Sequence, residues 1–290
     1  MPATRPGDAY EVRTMQPAEV ALAVDWAAGE GWNPGLQDAD SFLAADADGF
    51  WIGLHGGRPA SCLSAVRYGA GFGFIGFYIV HPDYRGRGYG LRLWQAALDA
   101  LGGARTLGLD GVVERQHDYR RSGFELAHRN IRFGGIAAPR PRAGTPRDIV
   151  PLSAVALGDV LAYDRPCFPA PREDFLRAWL AQPGMIGRAW MPGGSLAGYG
   201  VARPCRQGWK IGPLFADTPA GADALAHALV DALPPGSPYW LDVPAPNAHA
   251  LALADRLQLV QSFETARMYR GAAPDLPLDR IYGITSFELG

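Results

Sequence analysis

FYIVHPDYRGRGYGLRLWQAAL, Phe77 to Leu98, carries the chain from an apolar run through a glycine-rich turn into a helical pattern. Aromatic and β-branched residues before His81 favour a strand. From Leu91 to Leu101, LRLWQAALDAL spaces its apolar residues as one face of a helix. Between the two, Gly86, Gly88 and Gly90 permit positive φ and close backbone approach, so that successive amide N–H groups can turn toward one anion. A helix starting at Gly90 adds the positive end of its dipole, and Arg85 and Arg87 add charge beside it. The combination suits a pyrophosphate. A plain surface turn is the simpler alternative. The dinucleotide fingerprint G-x-G-x-x-G fits less well: its third glycine position holds Leu91, although Asp110 lies 20 residues beyond Gly90 (110 − 90), where a ribose-binding acid would sit.

Upstream, Pro17 to Ala28 has helical spacing closed by Gly29 and Gly31, and Asp38 to Ala45 reads as a second short helix. GFWIGLHGGRPASCLSAVRYG predicts two strands joined at His55-Gly56-Gly57, and Phe72 to Val80 completes a three-stranded meander. Downstream, a strand is expected over Thr106 to Asp110, a helix over Val113 to Ser122 stopping at Gly123, and a strand over Leu126 to Phe133. Residues 137–147, AAPRPRAGTPR, hold three prolines and three arginines and read as an exposed linker. The second half repeats the order: strands near Ser195–Arg203 and Trp209–Phe215, helix Ala220–Leu233, strand Tyr239–Val243, helix Asn247–Leu257 and strand Phe263–Arg270. Asp110 and Asp242 fall at corresponding strand ends, 242 − 110 = 132 residues apart, which suggests an internal duplication; a shared α/β order without common descent is the alternative.

At 290 residues the chain is long for one core, and two domains are expected. With 48% apolar and 19% charged residues it is globular. No apolar signal core opens the sequence and no run of 18 apolar residues follows, so the expected address is the cytoplasm, with no membrane partner. Cys62, Cys167 and Cys205 lie far apart, which argues against a disulfide framework and a zinc site; no metal is expected. A net charge of −2 gives no general field for nucleic acid. Lys210 is the only lysine, so any basic site is local and built from arginine.

Val80 to Gly90, V-x-P-x-Y-R-G-x-G-x-G after a strand, resembles the acyl-CoA signature of the GNAT acetyltransferases. The resemblance implies an α/β (α+β) fold of two tandem GNAT-like units, each a mixed, mostly antiparallel sheet flanked by helices. Residues 1–136 would be the acyl-CoA-binding catalytic unit and 148–290 a degenerate copy. By position, Arg85, Gly86, Arg87, Gly88, Tyr89 and Gly90 would hold the CoA pyrophosphate, and the backbone at Ile79 and Val80 would polarise the thioester carbonyl. Asp118 to Phe124 is similar to the family's closing Y-x-x-x-G-F, which casts Tyr119 as general acid toward the departing thiolate. That transfer, from a phenol near pKa 10 to a thiol near 8.5, is uphill by roughly 2 kcal/mol. The family often places a basic carboxylate on the central strand, but FGFIGFYIV has none. Glu30 is the first candidate base, because the loop after the first helix commonly borders the acceptor pocket in this family; Asp40 and a water held by Tyr78 are others. Trp32 and Asn33 could line the same pocket. His81 and His117 read as structural.

The second half has no arginine and only Gly221 where the first has RGRGYG, and Asp217, Pro219 and Asp223 oppose an anion there. One acyl-CoA per chain follows. AYDRPCFPAPREDF, with Asp164, Arg165 and Arg172, is a candidate pocket wall or a surface ion-pair loop. The expected activity is direct acyl transfer from acetyl-CoA to the amine of a small-molecule acceptor, with a protein-lysine acetyltransferase or a non-catalytic acyl-CoA sensor as alternatives.

Overall fold

A computed structural model describes residues 9–138 and 147–290. The linker reading therefore falls mostly outside the described residues.

The first half runs β1 (Tyr10–Thr14), α1 (Val20–Gly29), α2 (Asp38–Ala45), β2 (Phe50–His55), β3 (Arg58–Tyr68), β4 (Phe72–Val80), α3 (Tyr89–Ala100), β5 (Thr106–Val112), α4 (Gln116–Arg121) and β6 (Glu125–Ile136). The second runs β7 (Ile149–Pro151), α5 (Leu157–Asp164), α6 (Glu173–Leu180), β8 (Ile186–Trp190), β9 (Gly198–Pro204), β10 (Trp209–Ala216), α7 (Pro219–Val230), β11 (Pro238–Pro244), α8 (Ala248–Arg256), β12 (Val260–Arg270) and β13 (Ile281–Gly283). The expected helices and strands are present in the expected order. Strands β1, β7, β8 and β13 and helices α5 and α6 are additions.

All the strands join one sheet, ordered β1-β2-β3-β4-β5-β12-β6-β11-β10-β9-β8-β7, with β13 attached to β10. Pairing is antiparallel except at β4–β5 and β10–β11. The halves exchange their last long strands: β12 of the second half lies against β5 of the first, and β6 of the first lies against β11 of the second. The exchange is symmetric in register. Thr265 pairs with Asn130, and Arg267 faces His128 as Phe263 faces Arg132. The corresponding aspartates then receive corresponding arginines. Asp110 on β5 pairs in register with Arg267, and Asp242 on β11 with Arg132. Both contacts are bidentate: Arg267 Nε and Nη2 reach the Asp110 oxygens at 2.8 and 2.6 Å, and Arg132 Nε and Nη2 reach those of Asp242 at 2.6 and 2.7 Å. Such forks fix position as well as charge. This repeated pair is physical support for the duplication.

Helix α3 buries Leu93, Trp94, Ala97 and Leu98 on one face of the first half's strands, while α1 buries Val20, Ala23, Val24 and Ala27 on the other. The segment from Ile281 to Gly290 is buried throughout. Its Ile284, Phe287 and Leu289 join the core that α1 and α2 share with Trp179 and Phe175 of α6. Asp164 and Arg172, read above as a pocket wall or a surface loop, are instead a buried pair at 2.6 Å, and Arg172 Nη1 donates to Thr285 Oγ1 at 2.9 Å. Arg165 remains exposed. Among the described residues, no helix is long and apolar enough to cross a membrane.

Candidate active site

Strands β4 and β5 pair only from Phe72–Thr106 to Ile75–Leu109. Beyond that point Phe77 takes φ 47°, and the β3–β4 register shifts between Cys62 and Ser64. A bulky residue in the left-handed region is strained by about 1–3 kcal/mol. The bulge bends β4 away from β5 and opens a fork. A cavity of about 700 Å³ fills it, bounded by Phe77 to Val80, by Asp110 to Val112, by the 84–91 turn apart from Arg87, by α4, and by Phe263, Phe287 and Glu288 from the second half.

The three glycines of the turn have two different jobs. Gly86 and Gly88 hold φ of 79° and 78°, with Gly88 as the N-cap of α3, and a Cβ on either would meet nothing within 4 Å. They are there for backbone conformation. A Cβ on Gly90 would stand 2.8 Å from the Tyr78 hydroxyl and 2.9 Å from Val80 Cγ2, so Gly90 serves the close seating of α3 on β4. The first amides of α3 lack intrahelical acceptors, and Tyr89, Gly90 and Leu91, which carry them, line the cavity. Arg85 is folded back: Nε donates to Val80 O at 2.9 Å and Nη2 to Glu30 Oε1 at 2.5 Å. Arg87 lies over the Tyr84 ring, 5.4 Å from its centroid. The Tyr89 hydroxyl is 2.8 Å from His55 Nδ1 and its ring stacks on Tyr10, leaving its amide for the turn.

Tyr119 projects from α4 against Gly111, where any side chain would collide with its ring, and is 8% exposed. Burial pushes its phenol well above 10, and burial with Tyr10 nearby pushes Tyr78 to about 12. Both phenols are protonated at neutral pH. Proton transfer from Tyr119 to a thiolate is thus more uphill than the roughly 2 kcal/mol taken from reference values.

At the far end, Trp32 lines the cavity while its carbonyl accepts from Arg132 Nη1 at 2.8 Å and Lys210 Nζ at 3.0 Å. One cation from β6 of the first half and one from β10 of the second thus clamp this wall. Asn33 is turned away from the cavity. Its side chain exchanges hydrogen bonds with the Gln207 backbone, both at 2.9 Å. Glu30 borders the cavity but is engaged by Arg85, and Asp40 is not in the lining. Glu288 is 2% exposed and lines the cavity. The sequence reading missed it; its one signal was an acid inside the closing apolar run ITSFELG.

Comparison with known proteins bears on the same residues. The acetyltransferase (GNAT) family profile matches residues 18–124, and an acetyltransferase (GNAT) domain profile matches 160–283. A holothin acyltransferase from Pseudoalteromonas is 30% identical over 284 residues, covering 97% of this chain and 96% of that one. The chain belongs to the GNAT acyltransferase family. The tandem GNAT architecture is shared by an acetyltransferase candidate from Pyrococcus horikoshii, at TM-score 0.81 and 21% identity over 99% of this chain and 98% of that one. A tandem GNAT protein of the clavulanic acid biosynthesis pathway aligns at TM-score 0.64 and 14% identity, over 92% of this chain and 100% of that one.

The second GNAT unit has the same fork, but its own chain fills it. Strands β10 and β11 pair from Trp209–Tyr239 to Ile211–Leu241; beyond, β13 pairs with β10 at Leu214 and Phe215, and Ile284 N donates to Asp242 O at 2.9 Å. Only residues 217 and 218 separate β10 from α7, against residues 81–88 between β4 and α3. Thr218 caps α7 by accepting from Gly221 N at 3.2 Å, using a donor that an anion would need. Asp217 is matched by Arg280 at 2.6 Å and Asp223 by Arg256 at 2.9 Å, so charge repulsion is not the main obstacle. Space and donors are. Isothermal titration of CoA is therefore expected to give close to one site per chain; a value near two would show that the second unit also binds it.

Proposed function

We propose that the chain transfers an acyl group, acetyl by first expectation, from acyl-CoA to the amine of a small-molecule acceptor by direct attack. The observation that carries this is the opening of one cavity onto both the glycine turn at the start of α3 and the β4–β5 fork, with Tyr119 inside it. The turn's amides and Arg87 suit the pyrophosphate; Ile79 and Val80, on the part of β4 without a β5 partner, suit the thioester end. Arg85 helps hold the strand end and the Glu30 loop in place. Tyr119 donates a hydrogen bond to the sulfur as charge develops there, and its proton completes the thiol. A direct route is favoured because Cys62, Cys167 and Cys205 are all buried and none lines the cavity, leaving no thiol to form an acyl-enzyme. A small acceptor is supported by the relative named for holothin and by the aromatic residues Trp32, Phe263 and Phe287 in the cavity lining. Residues 1–136 would supply the acyl-CoA site and 148–290 the cover over the acceptor.

Thiol release from acetyl-CoA across a panel of amines, amino acids and lysine peptides tests the reading. Turnover with free amines is expected. Turnover confined to peptides would assign a protein acetyltransferase, and binding without turnover a sensor. In the same assay Tyr119→Phe is expected to slow transfer by about 10- to 10⁴-fold with CoA affinity unchanged; equal turnover would remove Tyr119 from the chemistry.

A further inference from the structure

Glu288 lines the cavity on a segment that belongs to the other half of the molecule. Among the described residues, neither of its carboxylate oxygens has a hydrogen-bond partner, although both are buried. A buried carboxylate left this way is costly unless something supplies donors.

The segment holding it is fixed at several points. Arg172 Nη1 donates to Thr285 Oγ1 at 2.9 Å, Leu289 N donates to Ser286 Oγ at 3.1 Å, and the Tyr68 hydroxyl donates to Leu289 O at 3.1 Å. The Glu288 carbonyl lies against Gly76 so closely that any Cβ there would overlap it. The Glu288 backbone is thereby set against β4 one residue before the strained Phe77, and Glu288 lines the same cavity as Phe77 to Val80, where the thioester end is expected.

The charges around it are those of the strand pairs. Arg132 on β6, Arg203 on β9 and Lys210 on β10 all feel the Glu288 carboxylate. Asp242 takes the first and Asp38 takes the second. Lys210 Nζ donates to the Trp32 carbonyl, and burial lowers its pKa, with Arg132 adding to the effect. The Glu288 charge offsets the Lys210 charge without an ion pair between them. Glu30, the other acid in the lining, is held by Arg85, and the phenols of Tyr78 and Tyr119 are protonated.

Resting on the acyl-transfer reading, we propose that Glu288 is the base for the acceptor: its carboxylate takes one proton from the bound ammonium, and the freed amine attacks the thioester carbonyl. The C–N bond forms, the C–S bond breaks, and the second nitrogen proton replaces the one Tyr119 gives to the sulfur. The proton on Glu288 returns to water after the amide leaves.

The test is kcat/KM for an alkylamine between pH 7 and 9. An alkylammonium titrates near 10.4. An enzyme that binds the ammonium and deprotonates it has a flat profile over this range. One that must wait for free amine rises about tenfold per pH unit. The wild type is expected to be flat. Glu288→Gln should fall about 10²- to 10⁴-fold at pH 7 and acquire the rising slope, while an arylamine, neutral at pH 7, should lose less than about tenfold. Acyl-CoA should raise the melting temperature of wild type and variant equally. Glu288→Asp should recover part of the alkylamine rate. Equal losses for both amines in a Glu288→Gln protein that keeps the acyl-CoA-induced rise would overturn the proposal, and so would a rising slope in the wild type, which needs no variant. Absence of transfer to any amine by the wild type would instead defeat the acyl-transfer reading.

Discussion

Replacing Gly86 and Gly88 together by valine is expected to abolish the rise in melting temperature that acyl-CoA gives the unaltered protein. Both glycines hold positive φ, and a Cβ on either meets no atom within 4 Å, so the main penalty lies in the backbone. A β-branched residue held there costs of order 1–3 kcal/mol, and the turn escapes by adopting another conformation. The amides then no longer converge, while α3 and β4, seated through Gly90, are untouched. A ligand at 100 times its Kd stabilises by about 2.7 kcal/mol, readily measured by thermal scanning. The unliganded melting temperature should move little. A retained ligand-induced rise would show that the anion is held elsewhere.

Arg132→Ala is expected to lower unfolding free energy by about 3–5 kcal/mol, because it leaves the Asp242 carboxylate buried and uncompensated. Burial by itself would raise the Asp242 pKa; Arg132 in contact, with Lys210 and Arg203 behind it, outweighs burial and holds the carboxyl below the usual carboxylate range. A depressed folded-state pKa contributes stability that is full above the unfolded value, about 3.9, and is lost as pH falls through the folded value. The gap between variant and parent in urea titrations should therefore be widest at neutral pH and shrink in acid. Asp242→Ala combined with Arg132→Ala should cost less than the sum of the two. A loss under about 1 kcal/mol at pH 7 would mean that water reaches the pair.

Local features of the site were legible in the sequence. The turn from Arg85 to Gly90 announces itself through glycines whose φ the backbone requires, α3 through its spacing, and the end of α4 through Gly123 at φ 84°. Helix α6 was obscured by the prolines before it, although Phe175, Leu176 and Trp179 mark one face. The partners of Asp110 and Asp242 had no local sign. The aspartates could be matched with each other, but Arg267 and Arg132 reach them only through strand pairing between the halves. Glu288 was hidden for the same reason. Nothing in TSFELG says that the segment will thread past Gly76 into the other half. What sequence periodicity reports is which face of an element is apolar, not which distant element covers it.

The exchange of β6 and β12 also has a consequence for how the protein is made. On the ribosome the first 136 residues include every residue of the glycine turn, yet the edge of β5 has no neighbour until β12 is synthesised; Arg267 and Asp110 are separated by 157 positions. Strand β6 meanwhile waits for β11. Translation at roughly 5–20 residues per second leaves the β5 edge uncovered for about 8 to 30 seconds and the β6 edge for about 5 to 20 seconds. An unpaired strand edge is a template for pairing with another chain. Productive folding is therefore largely deferred until β12 has been synthesised, and a nascent chain stalled near residue 200 should need a holding chaperone that a chain containing β12 does not.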